Sequence, residues 1–190
     1  MNIAIFGGTF DPIHNAHLTV ALEAADRFSL DRVLFVTAGQ PPHKPEGSTL
    51  AYEHRHRMVE LACEADPRFE PSRLEEGDAK SYSIDTIEKL RATLSPGDRL
   101  FFVLGADAFA EISSWYRAAD VLREVEFIIV ARPGYEYVTP PTARAHRLET
   151  LALPVSSSEI RRRLVASQAT GDLPPAVLAY ITAHGLYRSE

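Results

Sequence analysis

Hydrophobic positions fall along this chain in two rhythms. Ile3-Ala4-Ile5-Phe6, Val33-Leu34-Phe35-Val36, Leu100-Phe101-Phe102-Val103-Leu104 and Phe127-Ile128-Ile129-Val130 are short, unbroken apolar runs rich in branched and aromatic residues. Such runs, without polar alternation, mark strands covered on both faces, as in a parallel sheet packed between helices. Between them apolar residues recur every three or four positions, first at Leu18, Ala21, Leu22 and Ala25, which is the spacing of one helix face. Strand, helix and strand make a βαβ unit. Further helices are predicted near 52–64, 84–94, 106–112, 118–124, 159–167 and 175–184, with Gly185 as the C-terminal cap of the last. The alternation predicts a three-layer α/β fold.

Two stretches break the rhythm. The first, 37–50, carries Gly39, Pro41, Pro42, Pro45 and Gly47 directly after the second strand, and the second, 132–147, carries Pro133, Gly134, Pro140 and Pro141. In an open parallel sheet the loops leaving the carboxyl ends of the strands hold ligands. The second stretch is too short for a domain linker, and 190 residues of which 45% are hydrophobic suffice for one domain, 1–190, with a full core.

Charge narrows the functions. A formal net charge of −6 argues against a nucleic-acid polymer as partner, because phosphate backbones are held by clustered Lys and Arg. Any bound anion is expected to be small and met locally. Cys63 is the single cysteine, so no intramolecular disulfide or cysteine-rich zinc site is expected and a reducing compartment fits. The first residues lack a basic lead, and no apolar stretch approaches about 18 residues. The expectation is a soluble cytoplasmic protein with no membrane partner; a homo-oligomer is compatible with it.

The segment Gly7-Gly8-Thr9-Phe10-Asp11-Pro12 follows the first strand, and a helix begins near His14 or Asn15. A helix N-terminus presents unpaired N–H groups and positive potential, and adjacent glycines let backbone approach a phosphate without a Cβ between. His14 and His17, at i and i+3, fall on one helix face and can donate to the same phosphate. A glycine pair alone reads as a strand-ending turn, and each histidine alone as a cap or core residue; the combination favours phosphate chemistry. Asp11 before Pro12 reads as a turn former. No Lys-Ser or Lys-Thr follows the glycines and their spacing is not G-x-G-x-x-G, so kinase and dehydrogenase readings lose their support. Ser156-Ser157-Ser158-Glu159 has capping-box spacing. Arg161 in the following turn adds charge to that helix start, while Arg162 and Arg163 read as solvated. His54-Arg55-His56-Arg57 reads as an exposed helix face.

Gly7 to His17 resembles the H-x-G-H signature of a nucleotidyltransferase superfamily, and the chain resembles the bacterial nicotinate-nucleotide adenylyltransferases. The likeness extends through Pro41-Pro42-His43-Lys44, Ser81-Tyr82-Ser83-Ile84-Asp85-Thr86, Gly105-Ala106-Asp107, Trp115-Tyr116, Arg132-Pro133-Gly134, Val155-Ser156-Ser157-Ser158-Glu159-Ile160-Arg161 and Gly185-Leu186-Tyr187. It implies a Rossmann-like nucleotidyltransferase fold with a mostly parallel central sheet. There are three departures: Ala16 stands where the family has glycine, Ala38-Gly39-Gln40 where an Asn-containing segment is expected, and Ser83 where Thr is typical.

The resemblance implies transfer of AMP from ATP to nicotinate mononucleotide, with Mg²⁺ carried on ATP and no protein metal site. It assigns His14, His17 and Arg161 to catalysis. Gly7, Gly8, Thr9, Phe10, Ala16, Gly105, Asp107, Ser157, Ser158 and Ile160 are assigned to ATP, and His43, Lys44, Tyr82, Ser83, Trp115 and Arg132 to the acceptor. A tryptophan face stacks on a flat electron-poor ring, and a helix start suits a ring carboxylate. Trp115 also reads as a covering aromatic, Asp107 as an N-cap, and His43 and Lys44 as solvated. Nicotinamide mononucleotide and phosphopantetheine are the rival acceptors. A nucleotide-binding module impaired by Ala16 is the rival of another class.

Overall fold

A computed structural model of the chain describes residues 1–40, 49–77, 80, 82–151, 155–168 and 170–188. Strands β1 (Asn2–Gly8), β2 (Arg32–Thr37), β3 (Phe69–Ser72), β4 (Arg99–Gly105), β5 (Glu126–Ala131) and β6 (Arg144–Glu149) form one sheet in the order β3-β2-β1-β4-β5-β6. Every neighbouring pair is parallel, so the mostly parallel sheet of the sequence reading is parallel throughout. The four apolar runs are the four inner strands. The edge strands escape the pattern: β3 contains Pro71, and β6, Arg-Ala-His-Arg-Leu-Glu, begins inside the stretch 132–147 that breaks the rhythm. Proline and charge are features that edge positions tolerate and inner ones do not.

Helices α1 (Asn15–Arg27), α2 (Tyr52–Cys63), α3 (Ser83–Arg91), α4 (Ala106–Ala110), α5 (Ala118–Glu124), α6 (Ser157–Val165) and α7 (Pro175–Ala183) cover the sheet. Successive strand residues face opposite sides, and this divides the core in two. Ala4, Phe6, Val33, Phe35, Phe101 and Val103 pack with residues of α1, α2, α6 and α7. Ile3, Ile5, Leu34, Val36, Leu100 and Phe102 pack with residues of α3, α4 and α5. Both faces are buried, which is why the runs do not alternate. On α1 the buried face is Val20, Ala21, Ala24 and Ala25, one step from the predicted stripe, and Leu22 is exposed. Gly185, just beyond the α7 cap residue His184, has φ 61°, and Leu186 N–H donates to Ile181 O at 3.0 Å; a left-handed residue in this position closes the helix end as predicted. Among the described residues no helix is long and apolar enough to cross a membrane.

Candidate active site

β1 is bonded on one side to β2 and on the other to β4, so the chain direction through the sheet reverses beside it. That switch point is where open α/β sheets form a ligand crevice. β1 ends there in Gly7 and Gly8. A Cβ on Gly8 would lie 2.8 Å from the Phe10 ring, whereas one on Gly7 would meet no protein atom within 4 Å. Phe10 has φ 49° and turns its ring into the core against Phe6, Phe35 and the edge of His17. Its side chain therefore supports the loop from beneath and does not present itself to a nucleotide.

His14 takes an extended backbone at φ −147° and begins α1. Its N–H donates to His17 Nδ1 at 3.2 Å, and the two imidazoles stack with centroids 3.7 Å apart. Because Nδ1 of His17 accepts, its neutral ring carries the proton on Nε2 and is a hydrogen-bond donor there. Burial pushes the His14 pKa down to about 4, with Asp172 opposing the shift. Burial, and then His14 itself, hold His17 well below the usual histidine range. Both rings are neutral at pH 7. His14 Nδ1 is buried without a hydrogen-bond partner among the described residues. Ala16 is half-buried in the first turn of α1.

α6 closes on this loop from the far end of the chain. Ser156 Oγ accepts from Glu159 N–H at 3.2 Å, which is one half of the predicted box; the Glu159 carboxylate turns instead to Arg163 at 3.0 Å. Arg163 also bonds Asp172 at 3.0 Å, so it ties α6 to the turn before α7 and is not merely solvated. Ser157 Oγ donates to Pro12 O at 2.9 Å. Arg161 Nη1 donates to Asp11 O at 2.7 Å, and its Nη2 to Ser158 Oγ at 3.3 Å. Ser157, Ser158 and Arg161 are thus brought against the 9–14 loop. Ile160 is not: its side chain is buried in the core and its N–H bonds Ser156 O.

A cleft of about 630 Å³ opens beside Gly7, Gly8 and Thr9 and runs to Tyr82, Ser83, Gly105 and Trp115. Tyr82 precedes α3 and Ser83 is its first residue, so the leading N–H groups of that helix lack intrahelical acceptors. Trp115 is half-buried and packs edge-to-face on Phe102 at 6.1 Å, while Tyr116 covers Tyr82 at 4.6 Å. Asp107 lies in the first turn of α4 and accepts from Tyr135 OH at 2.7 Å. Arg132 follows β5 on the exposed surface and does not line the cleft described here. His43 and Lys44 lie outside the described residues.

Three features escape the sequence reading. Arg55 and His56 are buried, not on an exposed face. Arg55 donates to Thr9 O at 2.7 Å, Ala38 O at 2.8 Å, Gly39 O at 3.2 Å and Leu50 O at 2.8 Å, while His56 Nδ1 meets Thr37 Oγ1 at 3.1 Å. A signal existed: Arg55 lies three, four and seven residues before Met58, Val59 and Ala62, on the buried stripe of α2. Second, Glu75 lines the cleft and accepts from Thr86 Oγ1 at 2.6 Å. Gly39 permits this arrangement, since a Cβ there would stand 2.1 Å from Glu75 O. Third, Asp11 is more than a turn former: it is buried and bonded to Tyr187.

The cytidylyltransferase-like family matches residues 5–163. A Solibacter usitatus protein named "Probable nicotinate-nucleotide adenylyltransferase" is 59% identical over 98% of this chain and 100% of its own length. Proteins of the same name from Tropheryma whipplei and Thermus thermophilus are 44% and 43% identical, over 96% and 99% of this chain and 98% and 100% of theirs. The fold matches Plasmodium falciparum nicotinic acid mononucleotide adenylyltransferase complexed with NaAD, at TM-score 0.80 and 23% identity, over 98% of this chain and 97% of that one. The chain belongs to the cytidylyltransferase-like family and, within it, to the nicotinate-nucleotide adenylyltransferases.

Proposed function

We propose that this enzyme transfers the adenylyl group of ATP to nicotinate mononucleotide, forming nicotinate adenine dinucleotide and pyrophosphate. The observation that carries the reading is the single cleft joining the Gly7–Gly8 loop to Tyr82, Ser83 and Trp115. A phosphate-binding loop and an aromatic, helix-start pocket for a flat carboxylate-bearing ring then share one space.

The acceptor's phosphate oxygen bonds to the α-phosphorus, and the bond to the bridging oxygen of the β-phosphate breaks with its electron pair leaving on pyrophosphate. No general base is required, because a phosphate monoester has a second pKa of about 6 and is already largely ionised at neutral pH. The protein aligns two anions and stabilises charge on the transferred and departing groups. In this reading the neutral His17 and His14 donate to the α-phosphate and Arg161 meets the leaving pyrophosphate. Thr9, Ser157 and Ser158 hold the triphosphate, and Gly105 and Asp107 the ribose. Tyr82, Ser83 and Trp115 receive the pyridine ring, and His43, Lys44 and Arg132 the acceptor phosphate. Mg²⁺ enters with ATP as part of the substrate. The enzyme is expected to act in the cytoplasm on small molecules, without nucleic acid or membrane.

The test is pyrophosphate release from ATP with nicotinate mononucleotide, compared with nicotinamide mononucleotide and phosphopantetheine. The nicotinate acceptor is expected to be fastest, and faster release with phosphopantetheine would overturn the acceptor assignment. His17→Ala is expected to fold and to lose about 10²- to 10³-fold in turnover, the usual cost of one transition-state donor. Unchanged turnover would remove His17 from the mechanism.

A further inference from the structure

Tyr187 and Asp11 meet across nearly the whole length of the chain: the phenol donates to Asp11 Oδ1 at 2.6 Å. Tyr187 adopts φ 57°, a left-handed conformation that favours glycine, yet a bulky aromatic residue occupies it. Asp11 is 2% exposed. On the other side of the same aspartate, Arg161 Nη1 donates to its backbone oxygen at 2.7 Å and lies 3.8 Å from its Oδ2. Arg55, also buried near Asp11, spends its donors on backbone oxygens of Thr9, Ala38, Gly39 and Leu50. Asp11 therefore offers Arg161 two acceptors of different kind. The carbonyl oxygen anchors the guanidinium without cancelling its charge. The carboxylate is a rival anion for the cation that the mechanism assigns to the phosphates.

We propose that Tyr187 is a positioning residue: by holding Asp11 Oδ1 it keeps the carboxylate's contact with Arg161 at the long 3.8 Å of Oδ2, where otherwise the two would close into a tight ion pair, and so keeps the guanidinium available to the triphosphate. Burial and the Asp11 carboxylate both raise the phenol pKa, so the hydroxyl remains a donor throughout the neutral range. The inference rests on the assignment of Arg161 to the ATP phosphates. It gives Gly185-Leu186-Tyr187 a role in ATP affinity, although the segment follows the last helix and lines no part of the cleft described above.

Tyr187→Phe removes the hydroxyl and keeps the ring. The KM for ATP is expected to rise about tenfold, the scale of a buried charged acceptor losing its donor, with the KM for nicotinate mononucleotide within about twofold of the parent value. Adding Asp11→Asn in the Tyr187→Phe background replaces the rival charge with a neutral group of the same shape, and the ATP KM is expected to return to within about twofold of the parent. A purely structural bond predicts no such selectivity: both KM values would rise together with a loss of stability, since the loop it holds serves both substrates. An unchanged ATP KM in Tyr187→Phe, or a double variant worse than the single, overturns the proposal. Should Tyr187→Phe fail to fold by circular dichroism, Asp11→Asn alone carries the test. It is expected to leave ATP KM unchanged or lower, and a rise beyond about fivefold overturns the proposal. The Kd of a non-hydrolysable ATP analogue, measured by calorimetry without acceptor, separates this inference from the functional reading. A parent enzyme that binds the analogue but releases no pyrophosphate sinks that reading, and the variants' Kd values still decide the role of Tyr187. A parent that turns over while its variants keep the same Kd sinks this inference alone.

Discussion

Arg55 offers the sharpest test of the architecture, because its sequence surroundings and its structural surroundings predict different things. Arg55 is 1% exposed and its donors satisfy four backbone oxygens, drawn from the loop after β1, the segment after β2 and the approach to α2. Burial lowers its pKa, while the nearby Asp11 raises it, and arginine stays charged in proteins. Arg55→Met keeps the aliphatic length and removes every donor. Each stranded buried oxygen costs about 1–3 kcal/mol, but entry of water reduces the sum. Breaking a buried charged cluster from one side typically costs about 3–5 kcal/mol. We take about 4 kcal/mol. For a chain of this size each kcal/mol lowers the melting midpoint by about 2–4 °C, so a fall of about 8–16 °C is expected. Guanidinium unfolding should show a lower midpoint with an unchanged slope. Arg55→Lys should recover only a small part, since a point charge on a flexible stem cannot reproduce four directed bonds. A change within about 0.5 kcal/mol, the ordinary result at an exposed helix position, would refute the reasoning and restore the solvated reading.

Two further outcomes follow from the site. His14 has its pKa lowered to about 4 from the ordinary 6.5, so above pH 6.5 neither folded nor unfolded chain holds the proton and stability is unaffected. As pH falls from 6.5 toward 4 the unfolded chain binds it and the folded chain does not. Stability therefore drops, by about 1.4 kcal/mol per pH unit for His14 alone, and His17 shifts in the same direction. Urea unfolding near pH 7 and near pH 5 measures the slope; His14→Gln should flatten it, and identical slopes would contradict the burial argument. Methyl groups probe the nucleotide's approach. Gly7→Ala adds a Cβ that meets no protein atom, so it should fold normally and raise the KM for substrates in the cleft, while Ala16→Gly should lower the KM for ATP at a cost of up to about 1 kcal/mol in helix stability. Unchanged KM values in both would place the nucleotide farther from this backbone.

The parts legible in the sequence were those that a continuous segment specifies. The four inner strands announce themselves because both faces of each are buried, and the loop from Gly7 to His17 carries its turn, its helix start and its donors within one stretch. β3 and β6 were invisible because an edge strand is selected against further pairing, which erases the apolar run that would reveal it. α2 shows the other kind of failure. Residue type alone suggests a charged, exposed face, while the stripe through Arg55, Met58, Val59 and Ala62 places Arg55 inward; only the partners, backbone oxygens of two separate connections, are beyond reach. Asp11 and Tyr187 had no local signal at all, because their meeting depends on how α6, α7 and the first loop converge.

That convergence explains how a site with acidic side chains close by can still receive a polyphosphate. The first turn of α1 contains no acidic residue, so the positive end of its dipole is left uncompensated from within the helix. Two carboxylates nevertheless approach it. Asp172 influences His14, but its carboxylate is bonded to Arg163 at 3.0 Å, and its carbonyl oxygen takes the Asn15 N–H at 2.8 Å. Asp11 lies in the loop itself, and Tyr187 takes one oxygen of its carboxylate, while the other stands 3.8 Å from Arg161. Both acids thus have donors from the C-terminal third of the chain, which diminishes their competition for the groups assigned to ATP. In the proposed mechanism the neutral histidines complete the arrangement, since they would donate to phosphate without needing an acid to stabilise an imidazolium. A phosphate site of this kind depends as much on where its nearby anions are already engaged as on the cations it presents.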